Sequence, residues 1–236
     1  MSELICLSVF VLMCFALIGC VYLGRTAIFV YTVGCILVSN VTVTKQVQFL
    51  GITTSLAVFI FSVTYLAHDI LTEYWGKSHA LKLVLCNLAA QIAFMVYSTV
   101  AILTPSAPTD EASAAIITLF TVTPRVTIAA VLSAVGGFIC VTIFSALKKR
   151  QRKGRLSLAM RNSVSTILGN WVNTVVFFVV AFYGIFPDRV LSQIVLSALL
   201  VKLTLGILDT PFMFLARWAK NKNPANHTSE SDWASA

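Results

Sequence analysis

Read from the amino terminus, the chain alternates long apolar stretches with short polar ones. The apolar stretches exceed what a strand or a core helix of a water-soluble domain requires. Runs of bilayer length, about 20 residues each, cover Leu4–Leu23, Thr26–Thr44, Gly51–Ile70, Lys82–Leu103, Val122–Leu147, Ser163–Gly184 and Val190–Trp218. The pattern predicts an all-α, polytopic membrane helical bundle of about seven transmembrane helices. A large α/β domain with buried parallel strands would show Gly, Pro or Asp turn signals about every 10 residues. Such signals are missing over long stretches.

Composition agrees with this picture. The 236 residues are 58% hydrophobic and 11% charged, against about 25% charged in soluble domains. One integral membrane domain over residues 1–220 is expected, followed by a polar, disordered tail over 221–236. No Lys or Arg precedes the first run, whereas a cleaved signal peptide opens on positive charge. The first run is therefore expected to stay as a helix.

The net charge of +8 reads as membrane orientation, not as a nucleic-acid surface, because of where the charges lie. Arg25 follows the first run. Lys77 and Lys82 flank the turn after the third. Lys148 to Arg161 forms a basic cluster after the fifth, and Arg217, Lys220 and Lys222 close the seventh. The alternate connections carry Asp110 and Glu111, or Gly184 to Arg189, and Lys45 is the one basic residue after the second run. The positive-inside rule then places the N-terminus outside and the C-terminus in the cytoplasm of an inner membrane. Six spans end on the same side as seven if the first is absent, so the first helix reads as an addition to a six-helix core. All six cysteines lie in apolar runs without CxxC or Cys/His spacing, which argues for buried thiols and against disulfides or a metal site.

Polar groups inside the runs are the candidates for chemistry, since a charged side chain at mid-bilayer costs about 2.5–3.5 kcal/mol on insertion scales. Asp69 and Glu73 stand four apart on one helical face, either facing a polar interior or solvating the helix end. Asn87, Gln91 and Ser98 stripe the fourth run, as interhelical glue or as ligand contacts. Asn162, Thr166, Asn170 and Asn173 recur at steps of three or four in the sixth, with Gly169 beside them. The seventh holds Lys202 and Asp209 two turns apart, and Pro211 removes the donor for the Ile207 carbonyl. That pair is either a structural ion pair with an acid of the third run or part of a binding site. Ser133 and Gly137, small residues four apart, and the pair Gly136-Gly137 signal close helix packing in the fifth run and carry no chemistry.

Three stretches carry a resemblance: Asp69–Lys77 (DILTEYWGK), Ser165–Phe178 (STILGNWVNTVVFF) followed by Ala181–Gly184 (AFYG), and Lys202–Phe212 (KLTLGILDTPF). In this order and in separate helices they resemble the queuosine precursor transporters, a vitamin-uptake-transporter-like family. The resemblance covers roughly Thr26 to Trp218. It implies a core of about six helices and inner-membrane uptake of a 7-deazaguanine: the 7-cyano or 7-aminomethyl precursor, or queuine, for transfer-RNA modification. No cofactor is implied. The family often has Asp before Thr in the second stretch, where this chain has Asn173.

A deazaguanine presents an N1–H and an exocyclic NH2 side by side, and a carboxylate accepts both at once. Asp69, Glu73 or Asp209 is expected in that role, with Gln91, Asn170 and Asn173 meeting the carbonyl oxygen and ring nitrogens. Trp171 or Phe178 is expected to stack on the base, and Lys202 to lie in or beside the site. An intramembrane enzyme finds no support: HExxH is absent, and the histidines are His68, His79 and His227. A binding subunit dependent on a separate energising partner and a scaffold held by small-residue packing are the alternatives.

Overall fold

The structure, a computed structural model, describes residues 2–121, 123–150, 155–185 and 187–222, with backbone alone for 2, 150, 155–163, 165 and 166. The expected polar tail and the side chains of Asn162 and Thr166 lie outside the described residues. The elements are α1 (Ser2–Leu23), α2 (Arg25–Thr42), β1 (Gln46–Phe49), β2 (Ile52–Ser55), α3 (Ala57–Tyr74), α4 (Lys77–Leu103), α5 (Ser113–Phe120), α6 (Thr123–Ser133), α7 (Val135–Arg150), α8 (Arg155–Phe182), α9 (Asp188–Leu208) and α10 (Thr210–Lys222). The chain is an all-α polytopic bundle apart from one small hairpin.

Among the described residues, five helical stretches are long and apolar enough to cross a membrane: Glu3–Leu23, Arg25–Thr42, Lys77–Leu103, Ser113–Lys149 and Asp188–Leu208. The count expected from the sequence was about seven. The two runs that fall short are α3 and α8, whose apolar part, Ile167–Phe182, is shorter. Both are threaded with costly polar groups, and both contribute to the interior.

The third run does not begin as a helix at Gly51. Residues 46–55 form an antiparallel hairpin with Gln46 opposite Ser55 and Phe49 opposite Ile52. Leu50 (φ 52°) and Gly51 (φ 73°) occupy its turn. Positive φ at both central residues is the type I′ signature, whose twist matches that of paired strands. The Ser55 hydroxyl donates to the Val43 carbonyl at 2.6 Å and accepts from the Ala57 N–H at 3.3 Å. One side chain thus ties the end of α2 to the start of α3.

From Ala57 onward α3 is the axis of the bundle. Every residue except Phe61, Glu73 and Tyr74 is buried. It is packed by α1, α2, α4, α7 and α9. A helix so enclosed must satisfy its own polar groups, and Ser62, Thr64 and Thr72 turn their hydroxyls back onto carbonyls of the preceding turn.

Two expected single spans are interrupted. The fifth breaks at Ala134, between α6 and α7. There the Gly137 N–H donates to the Ala134 carbonyl at 2.9 Å, one residue beyond its regular helical partner, Ser133. The seventh breaks at Asp209, between α9 and α10. Pro211 brings no N–H to the last turn of α9, and the Phe212 N–H turns to the Asp209 carbonyl at 2.9 Å. Just after the first break, α7 and α8 cross backbone to backbone. A Cβ on Gly136 would lie 2.5 Å from the Gly169 carbonyl oxygen, and one on Gly169 would lie 2.6 Å from Cys140 Cβ. Glycine is required at both.

The basic positions gather at one end. Arg25 Nη1 meets His79 Nε2 at 2.8 Å, and His79 Nδ1 meets the Trp75 carbonyl at 2.8 Å. Lys148 donates to the Thr72 and Glu73 carbonyls and pairs with the Glu73 carboxylate at 3.7 Å. Lys220 donates to the Tyr74 carbonyl at 2.6 Å and lies over the Trp75 ring. Cations from three other helices, α2, α7 and α10, therefore meet around the α3–α4 turn. At the hairpin end, Arg125 donates to the Val180 and Tyr183 carbonyls at the close of α8, groups a helix end leaves unpaired. Outside the apolar runs, Asp110 accepts from the Ser113 hydroxyl and from the Ala112 and Ser113 N–H groups. Those bonds hold its carboxyl below the ordinary carboxylate range.

Candidate functional site

Two chambers lie inside the bundle. The first is walled by the end of α2, β2, the start of α3, and parts of α4, α6, α8 and α9. Its cavity measures about 50 Å³, well below the roughly 300–1,000 Å³ of an open small-molecule site, so the chamber is closed and must widen to take a ligand. The residues that line it from α2 and α3 belong to the hairpin half of those helices, so it sits toward the end away from the basic cluster. The second, about 30 Å³ by the same measure, lies farther along α3. Phe61, Gln91, Ala130 and Asn173 belong to both walls.

The centre of the first chamber is built by the broken helix. Ser133 is the last residue of α6, and the break frees its carbonyl. Asn173 of α8 supplies the donor: its Nδ2 reaches the Ser133 carbonyl at 3.1 Å and the Ser133 hydroxyl at 3.0 Å. Its other end, Oδ1, accepts from Lys202 Nζ of α9 at 3.1 Å. Lys202 is 5% exposed and also lies 5.3 Å from the centre of the Phe61 ring. Among the described residues it makes no ion pair with a carboxylate. An ammonium buried in an apolar bundle against one amide oxygen and one ring is under-coordinated, since it carries three donors. Gln91 of α4 and Asn40 of α2 also line this chamber, and Gln91 Oε1 and Asn40 Nδ2 are buried without a hydrogen-bond partner. Phe177 and Phe178 form an aromatic wall.

The second chamber is lined by His68 and Tyr65 of α3, Asn87 and Gln91 of α4, and Gly137 of α7, among others. Both ring nitrogens of His68, together with Asn87 Oδ1 and Gln91 Oε1, are buried without a hydrogen-bond partner. Each such group costs about 1–3 kcal/mol while unsatisfied. Four of them around one void mark a place that a polar ligand or water would fill.

The residues anticipated from the sequence divide into two sets. Gln91, Asn173 and Lys202 converge on the first chamber. Asn170 is buried one turn before Asn173, with its Oδ1 unpartnered, but does not line either void. No carboxylate lines either chamber. Asp69 is fully buried and accepts from Cys140 Sγ at 3.4 Å. Glu73 belongs to the basic cluster through Lys148, and Asp209 is buried at the α9–α10 break. All three lie on the basic side of the chambers. Lys202 and Asp209 do share a helix, yet the lysine's partner is an amide. Trp171 is 54% exposed on the outer face of α8, whereas Phe178, the other expected stacking ring, is in the wall.

His68, Asn40, Ser133 and Phe61 were not anticipated at the site. His68 was legible as a histidine within an apolar run next to Asp69. Ser133 read from the sequence only as a packing residue, because its bond to Asn173 follows from the helix break at Ala134.

A helical membrane bundle closed around a polar, aromatic-walled chamber defines a small-molecule carrier or binding protein of the bilayer. The chain belongs to the family described as "Putative vitamin uptake transporter", whose profile matches residues 55–216. It is also 27% identical, over 195 residues, to a protein of Bacillus subtilis (strain 168) described as "Probable queuosine precursor transporter"; the match covers 82% of this chain and 85% of that protein. No solved structure matches the chain. The family match begins at Ser55, after α1, α2 and most of the hairpin.

Proposed function

We propose that the protein imports a 7-deazaguanine, a queuosine precursor such as the 7-cyano or 7-aminomethyl base or queuine, across the inner membrane. Membership of the transporter family and the likeness to the Bacillus subtilis protein support a carrier of this class. The observation that carries the reading is the convergence of Lys202, Asn173 and Gln91 on one chamber beside Phe61, Phe177 and Phe178. The lysine ammonium, short of acceptors, donates to the carbonyl oxygen of the base. The amides of Gln91 and Asn173 take the base's N–H donors, since no carboxylate is at hand. The aromatic wall packs against the ring faces.

In this reading the chain is one transporter unit over residues 1–220 with seven spans: α1, α2, α3, α4, the α5–α7 stretch, α8 and α9. The basic cluster faces the cytoplasm and the N-terminus lies outside, following the positive-inside rule. The hairpin end, and with it the first chamber, then faces the exterior. The helix breaks at Ala134 and Asp209 act as hinges for alternating access. Asp69, Glu73 and Asp209 lie on the exit side and meet the base as that side opens.

The test is uptake of labelled 7-aminomethyl- and 7-cyano-7-deazaguanine into liposomes containing the purified protein alone. Accumulation is expected. Tight binding without accumulation would assign the protein to the partner-dependent subunits, and neither binding nor uptake would end the proposal. Trp171→Leu is expected to change uptake by no more than about two-fold, as for a surface position remote from the chamber; a ten-fold loss would bring Trp171 back into the site.

A further inference from the structure

The first chamber accounts for a base, but not for the unpaired polar groups of the second. We propose that the second chamber is a subsite for a hydrogen-bond-donating substituent, an amine or a hydroxyl, carried by the base. The inference rests on the reading that the first chamber takes a deazaguanine ring. The shared wall residues Phe61, Gln91 and Asn173 make the two voids neighbours, so a ring in one projects its substituent toward the other.

The chemistry of the second chamber selects the substituent. Asn87 and Gln91, four residues apart on one face of α4, leave their carbonyl oxygens unpartnered, and both nitrogens of His68 are unpartnered across the void on α3. All three side chains are 5% exposed. A neutral imidazole offers one donor and one acceptor, so unmet acceptors outnumber unmet donors. An amine or hydroxyl supplies the missing donors, and a hydroxyl also accepts. A nitrile only accepts and, with the Gln91 oxygen engaged by the base, leaves the Asn87 oxygen as it was. Electrostatics favours the same arrangement. Lys202 lines the first chamber and not the second, so a protonated amine placed in the second meets oxygens instead of the lysine ammonium.

Gly137 gives a way to narrow the subsite without removing a polar group. A Cβ there would lie 3.4 Å from Val84 Cγ2 and 3.8 Å from His68 Cε1. These are ordinary contacts, so alanine fits while taking up space beside the histidine.

The experiment measures binding of unsubstituted 7-deazaguanine, its 7-cyano and 7-aminomethyl derivatives, and queuine to the full-length protein in lipid nanodiscs. It compares the natural chain with Asn87→Leu and Gly137→Ala. The natural chain is expected to bind the two amine-bearing ligands at least about ten-fold tighter than the unsubstituted and cyano bases, the increment of a charged hydrogen bond. In both variants that advantage should fall to about three-fold or less, with the unsubstituted base bound as before. Equal binding of cyano and aminomethyl ligands, or a loss shared by all four, overturns the subsite while leaving the base reading in place. Binding of none of the four by the natural chain overturns the base reading and the subsite with it. Should Asn87→Leu fail to fold, the Gly137→Ala comparison decides.

Discussion

Lys202→Met is expected to abolish uptake at low substrate concentration without destabilising the protein. The ammonium is 5% exposed and hydrogen-bonds only Asn173 among the described residues. Inserting a lysine at a helix centre costs about 2.5–3.5 kcal/mol, and the observed partners return only part of it. Methionine removes that cost and keeps the length of the chain, while Asn173 Oδ1 loses its donor at about 1–3 kcal/mol. The two terms nearly offset, so the thermal stability of the purified protein should hold or rise slightly. Binding should not hold. A hydrogen bond from a charged group is worth about 1.5–3 kcal/mol, which corresponds to roughly ten- to hundred-fold weaker affinity. Parallel melting curves and uptake rates separate the cases. A purely structural lysine would lower stability and affect all conditions alike, and unchanged uptake would remove Lys202 from the site.

The companion change Asn173→Asp acts in the same direction but more weakly. It sets a carboxylate against the ammonium and satisfies the lysine within the protein. Affinity for a ligand carbonyl should fall, though less than in Lys202→Met, because the ammonium remains.

The largest effect on the fold is expected from Gly169→Ala. Its new Cβ would stand 2.6 Å from Cys140 Cβ and 2.8 Å from the Gly136 carbonyl oxygen. Neither obstacle is the mobile tip of a side chain, so α7 and α8 must separate. Overpacking of this kind costs about 1–3 kcal/mol, and backbone obstacles put this case at the upper end. The consequence reaches the chamber, because Asn173 is one turn beyond Gly169 and its hold on Ser133 depends on the same crossing. A lower melting temperature together with lost uptake is expected. Gly137→Ala, whose methyl meets only ordinary contacts, is the control that should fold normally. Equal stability of the two variants would show that the α7–α8 crossing tolerates separation.

The membrane class was legible because it depends on run length, which is a property of the linear chain. The same holds for the grouping of basic residues: charge bias between runs pointed to one end, and Arg25, Lys148 and Lys220 do meet around the α3–α4 turn. Gln91, Asn173 and Lys202 stood out as polar groups in apolar runs, and all three are buried beside one void. The sequence reading weighted the carboxylates more heavily than the chambers do. Spacing places Asp69 and Glu73 on one face, but it does not say what that face opposes. Asp69 opposes Cys140, and Glu73 opposes Lys148.

What the linear chain determined, then, is the solvent in which this protein folds and the short roster of side chains too expensive to leave facing lipid. Which of them look into the same void was decided only in three dimensions. Helix packing brings α4, α8 and α9 together around the break at Ala134. The physical reason is that insertion cost is paid residue by residue, whereas a chamber forms from how separate helices cross, and that crossing turns on contacts such as Gly136 against Gly169 between residues far apart in the chain.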